Sequence, residues 1–126
     1  MTSALLVLAG LMGAGGVGLA AAAAHGTPAS GLDSAAYLLL FHATAVLAIA
    51  SLTRQQLLWR SLALVAMACF VAGGALFAGD VSMRAFAGQR LFPMAAPTGG
   101  TLLILGWLVL TAAAVIAMAT ANIVNR

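Results

Sequence analysis

Four uninterrupted apolar stretches constrain this chain more than any other feature. They run from about Ala4 to Ala24, Ser34 to Leu52, Leu58 to Gly79 and Thr98 to Ala121. Each can cross a hydrocarbon layer about 30 Å thick, which takes roughly 20 helical residues. In lipid, backbone polar groups must be satisfied within the segment, so a helix is the economical form. No two-residue alternation of the kind a transmembrane β-barrel requires is visible. The expected fold is therefore all-α: an integral membrane four-helix bundle with short loops, a single domain over residues 1–126.

Charge supports this reading. Only 6% of the residues are charged, against about a quarter in soluble domains. So few charges cannot cover a water-facing surface, which argues against a soluble enzyme. The net charge of +3 comes from five arginines and two aspartates. No basic run or aromatic-interleaved basic patch is present, so nucleic acid is not an expected partner. Cys69 is the single cysteine and lies within an apolar run, so an internal disulfide is ruled out. The first stretch ends in alanines, as a cleavable signal does. It lacks a charged leading region and is longer than a usual signal core, so it is read as a retained helix.

The connections carry the turn chemistry. Gly26-Thr27-Pro28-Ala29-Ser30-Gly31 is a loop, with Asp33 or Ser34 expected to cap the second helix. Thr53 to Leu57 is a tight polar turn. Asp80 to Pro97 is the longest connection, and its mixture of Met83, Phe86, Leu91, Phe92 and Met94 with Arg84 and Arg90 suggests a short interfacial helix. Four spans place both termini on one side, with Arg54, Arg60 and Arg126; Arg84 and Arg90 lie opposite. The positive-inside rule then favours cytoplasmic termini.

Small residues mark helix contacts. Without a hydrophobic drive between helices in lipid, close backbone approach supplies the attraction. Gly13, Gly18, Gly73, Gly99, Gly100 and Gly106 are the expected packing positions, with Trp107 set mid-span against a small-residue face. These faces pack the chain's own bundle, or a second copy, or a partner subunit. The Gly99-Gly100 pair near a helix start can also hold an anion on free N–H groups, but no Lys-Ser/Thr follows as in a P-loop. Trp59 suits an interfacial belt.

Three polar residues are candidates for function. His42 lies eight residues past Ser34, roughly 12 Å into the second stretch. An ionisable residue at that depth is a functional-site candidate; the competing reading is a neutral ring that hydrogen-bonds a neighbouring helix and fixes packing. His25 closes the first stretch and Asp80 follows the third. If the three converge, they form a proton relay or a weak metal site. Their spacing is not a recognised ligand pattern, and bis-histidine haem ligation needs both rings across one cleft, so no metal or cofactor is expected. Arg84, four residues beyond Asp80, is placed for an ion pair if the segment is helical. No nucleophile, base and oxyanion set is visible, and enzymatic activity is not expected.

The order of short motifs resembles a known family. A Gly-rich first helix closes on Ala24-His25-Gly26, Phe41-His42 falls early in the second, Leu76-Phe77-Ala78-Gly79 ends the third, and Pro97-Thr98-Gly99-Gly100 and Gly106-Trp107 follow. Together these resemble the small four-helix membrane proteins of domain-of-unknown-function family 423, similar to transmembrane protein 256. Where that family tends to read Gly-Ala-Phe-Gly-Ala-His, this chain has alanines from Ala20 to Ala24 before His25. The resemblance implies a bacterial inner-membrane location and no established activity. The expected role is a structural or accessory subunit whose partners are the bilayer and further copies or a larger membrane complex. The alternative is a proton or small-ligand transporter or channel centred on His42.

Overall fold

The computed structural model describes residues 2–25 and 31–124. The loop expected at Gly26 to Ser30 and the charge of Arg126 lie outside the described residues. Four helices follow in order: α1 (Thr2–His25), α2 (Leu32–Arg54), α3 (Arg60–Ala87) and α4 (Ala95–Val124). All four are long and apolar enough to cross a membrane.

α1, α2 and α4 run past both limits their apolar stretches implied, whereas α3 starts at Arg60, two residues inside the expected Leu58, and runs past the expected end. α2 starts at Leu32, and neither Asp33 nor Ser34 caps it. Gly31 holds the N-cap position at φ 70 without a side-chain cap. The cause is packing: Leu32 is buried in the cluster holding Met12, Leu39, Ala78 and Val81, and Ala35 N–H already bonds Gly31 O. Asp33 falls in the first turn instead, where a carboxylate complements the helix dipole.

α3 also corrects an expectation. It continues through Asp80 to Ala87, so the anticipated interfacial helix is the last two turns of α3 itself. Asp80 does not stop the helix, because Arg84 neutralises it one turn on. Gly88 then ends α3 in the left-handed conformation at φ 66, its N–H bonded to Arg84 O. Pro97 sits in the first turn of α4, where a missing N–H breaks no helical bond.

The α2–α3 turn is a Schellman motif built without glycine. Leu57 N–H reaches Leu52 O and Gln56 N–H reaches Thr53 O, both at 3.1 Å, which is the paired 6→1 and 5→2 pattern of that cap. Gln56 occupies the left-handed position at φ 61, a conformation that costs an L-residue about 1–2 kcal/mol. Gln56→Gly is therefore expected to stabilise the fold by about 0.5–1 kcal/mol after glycine's larger unfolded-state entropy is subtracted. A higher midpoint in a denaturing-detergent titration followed by circular dichroism checks this.

α3 is the centre of the bundle: it packs against all three other helices, α1 also meets α2, and α4 has close backbone contact with α3 alone. α2 buries Leu32, Ala35, Ala36, Leu39, His42, Ala43, Val46, Ile49 and Ala50, an alternation of three- and four-residue steps that keeps one stripe inward. Two apolar clusters result. One near the α2–α3 turn is built on Ile49, Met67 and Phe70; the other, toward the opposite end, holds Leu32, Ala35 and Val81.

Glycines set the α3–α4 crossing. A Cβ on Gly99 would lie 2.7 Å from Gly73 O and from Phe77 N, and one on Gly73 would lie 2.8 Å from Gly99 O. Gly106 admits the Phe70 ring, which its Cβ would meet at 2.6 Å. Gly99 is thus a helix-contact residue, not an anion-holding one. Gly13, Gly18 and Gly100 take no close part in packing the chain's own bundle, since a Cβ at any of them meets nothing within 4 Å. The reason is geometric: α1 engages its neighbours through Ala9, Met12 and Gly16, and Gly18 lies on the far side of that helix. Gly16 and Gly74 hold close contacts that residue type alone did not single out. Their Cβ atoms would meet Leu40 at 2.7 Å and Met12 at 2.9 Å.

Candidate functional site

The polar residues inside this apolar bundle are held by specific partners. Thr44, Thr53, Thr101, Thr111 and Thr120 each donate to a carbonyl three or four residues back on their own helix. That arrangement hides hydroxyl groups from lipid.

His42 lies ten residues past Leu32, about 15 Å along α2, and is 5% exposed. Its Nδ1 is 2.7 Å from Leu38 O. A carbonyl can only accept, so Nδ1 carries the proton. Nε2 then presents a lone pair, which accepts Trp107 Nε1–H from α4 at 3.2 Å. Both ring nitrogens are satisfied, in the pattern of one neutral tautomer. Phe70 of α3 completes the cluster. Its ring centroid lies 5.0 Å from both the imidazole and the indole, tilted by 64° and 52°, within the range favourable for edge-on aromatic contact. Three helices thus meet in one ring cluster. An open groove of about 580 Å³ passes over it, lined by Phe41, His42, Thr44, Ala45, Ala48 and Trp107.

The hydrogen bond from Trp107 bridges α2 and α4, which have no backbone contact of their own. Trp107→Phe keeps the ring packing but leaves His42 Nε2 without a donor. The expected loss is about 1 kcal/mol, near the middle of the range for interhelical hydrogen bonds in membranes. It is read from unfolding midpoints of the two proteins in the same micelles.

Asp80 forms a second polar lock near the end of α3. Its side chain is 4% exposed, yet both oxygens are used: Oδ2 pairs with Arg84 Nη2 at 2.9 Å, and Oδ1 accepts Leu91 N–H at 2.9 Å. The second bond folds the α3–α4 connection back onto α3. Sequence spacing anticipated the Arg84 pair but not the Leu91 contact, which crosses an irregular segment.

His25, His42 and Asp80 do not converge. His42 meets α3 at Phe70, and Asp80 lies ten residues further along α3, about 15 Å away. His25 is exposed at the end of α1. No group of three or more His, Cys, Asp or Glu side chains among the described residues is placed to hold a metal ion. The arrangement supports helix fixation through His42 and Trp107, and loop fixation through Asp80.

Residues 19–100 match the family described as protein of unknown function DUF423. The chain belongs to this family. The matched span begins in α1 and ends in the first turns of α4, so it covers His42, Phe70, the Asp80 lock and Gly99 of the α3–α4 crossing, but stops short of Trp107. No curated protein and no solved structure gives a significant match.

Proposed function

We propose that this DUF423 member is a small polytopic protein of the bacterial inner membrane, with cytoplasmic termini. It serves as a structural or accessory subunit that packs with copies of itself or beside a larger membrane complex, without enzymatic activity. One observation carries this reading. Gly10, Ala14 and Gly18 form an exposed ridge of small residues on α1, and a Cβ on Gly10 or Gly18 would meet nothing within 4 Å. Such a ridge, four residues in step, lets another helix approach backbone to backbone. The orientation is supported by Arg54 and Arg60, which share a cleft with Thr2 and Ser3 at the start of α1 and, counted with Arg126, outnumber Arg84 and Arg90 of the opposite side, the majority that the positive-inside rule reads as cytoplasmic. A transporter centred on His42 is less well supported, because both imidazole nitrogens are already bonded within the bundle.

The test is native mass spectrometry of the wild type and of a Gly10→Leu/Gly18→Leu variant, extracted under mild conditions. Oligomers or a co-purifying complex that the leucines disperse are expected. A strictly monomeric wild type with no companion, or assembly indifferent to the substitutions, sinks the proposal. Proton or solute flux in proteoliposomes that His42→Ala abolishes would favour transport instead.

A further inference from the structure

A cleft among α1, α2 and α3 joins unpaired charge to an apolar interior. It lies at the end of the bundle where α1 starts, α2 ends and α3 starts, and it encloses about 590 Å³. Its rim carries Arg54 and Arg60 beside the hydroxyl groups of Thr2 and Ser3, and its inner wall is Leu6, Leu47, Leu64 and Met67. Helical rise orders these residues by depth. α2 runs toward Arg54, so Leu47, seven residues earlier, lies about 10 Å deeper. α3 runs away from Arg60, so Leu64 and Met67 lie about 6 and 10 Å deeper. Met67 is fully buried and stands three residues before Phe70, which packs on His42 in the middle of the bundle. The cleft therefore leads from the arginines toward the bilayer midplane, and the bundle's own packing leaves Leu6 and Leu47 on its wall exposed.

The charge at the rim is unspent. Among the described residues neither guanidinium has a hydrogen-bond or ion-pair partner; the ion pair found is Arg84 with Asp80. The acidic side chains of the chain, Asp33 and Asp80, lie at the opposite end. A water-soluble anion would leave the apolar wall uncovered, and a neutral hydrocarbon would leave both guanidiniums unpaired. An anion that carries a hydrocarbon chain satisfies the two together, the head at the rim and the chain inward. The cleft volume falls within the range of about 300–1,000 Å³ that holds one small ligand, which suits a single-chain amphiphile better than a two-chain lipid.

We propose that this cleft binds a single-chain carboxylate amphiphile of the fatty-acid class, its headgroup on Arg54 and Arg60 and its chain running inward along Leu6, Leu47, Leu64 and Met67. This rests on the bilayer placement of the four helices and is independent of the association through the α1 ridge. The full-length protein in neutral micelles is titrated with palmitate, hexadecanol, acetate or phosphatidylglycerol at a mildly alkaline pH, where a carboxylate of pKa about 4 is ionised. Native mass spectrometry reads retention, and circular dichroism confirms helicity. Palmitate should be retained over the other three. Arg54→Gln/Arg60→Gln should weaken its binding by about 30-fold, the product of two juxtamembrane charges. Arg90→Gln, at the other end, should leave it unchanged. Leu47→Trp, which narrows the inner part of the cleft without altering charge, should also displace palmitate and decides the matter alone if the arginine variant does not fold. Equal retention of hexadecanol, preference for phosphatidylglycerol, displacement of palmitate by equimolar acetate, or binding indifferent to the arginine or Leu47 variants would each overturn the assignment.

Discussion

Alanine at Gly99 is expected to prise α4 from α3 and to cost about 2–3 kcal/mol, the upper part of the range for overpacking a close contact. The added methyl would lie 2.7 Å from Gly73 O and from Phe77 N. Both are backbone atoms of a buried helix, so no side chain can turn aside, and the helices must separate. Separation is costly because α3 is the one helix with which α4 has close backbone contact. Moving it disturbs the seating of Gly106 on Phe70 and the bond from Trp107 to His42. Gly100→Ala, one residue on, is the control. Its methyl meets nothing within 4 Å, and alanine is the better helix former by up to about 1 kcal/mol, so no loss is expected. Unfolding midpoints in micelles compare the pair, and tryptophan fluorescence follows Trp107 directly. Equal stability of the two variants would show that the crossing is looser than the geometry requires.

The second large effect concerns the Asp80 lock, and it is asymmetric. Arg84→Ala removes the partner of a carboxylate whose side chain is 4% exposed, while Arg84 itself is 43% exposed. The charge left behind is the buried one, for which loss of a partner costs about 3–5 kcal/mol. Asp80→Asn leaves behind only a guanidinium that reaches water or lipid headgroups. Its amide oxygen can still accept the N–H of Leu91, so a loss of about 1 kcal/mol is expected. The double variant Arg84→Ala/Asp80→Asn should recover most of what Arg84→Ala loses. Chemical denaturation of the four proteins gives the coupling, and limited proteolysis at residues 88–94 reports release of the connection. Comparable losses from the two single variants would contradict the asymmetry.

Residue type and spacing exposed some of these features and hid others. Asp80 and Arg84 stand four apart, so their pairing follows from helical periodicity once the helix is allowed to continue. The continuation was not legible, because an aspartate after an apolar run looks like an end until its partners are known. His42 stood out by its depth, but its role depended on Trp107, sixty-five residues away. No local pattern encodes that meeting. Gly73 and Gly13 are both glycines in apolar helices; one faces a neighbour's backbone and the other open space. The difference is rotational phase against a helix that arrives from elsewhere in the chain. Gln56 concealed a left-handed turn because the usual marker for that conformation is glycine.

By itself the sequence determined four helices, their order and their apolar setting, because these depend on segment length, local hydrogen bonding and the near absence of charge. Tertiary structure decided which faces meet. It made α3 the centre, seated α4 on Gly73 and Phe70, closed the polar capacity of His42 and Asp80 inside the bundle, and left Arg54 and Arg60 lining open clefts at the α2–α3 turn. The physical reason is that a helix forms from contacts three and four residues apart. Whether a buried polar group is spent or free is set by atoms brought together across tens of residues.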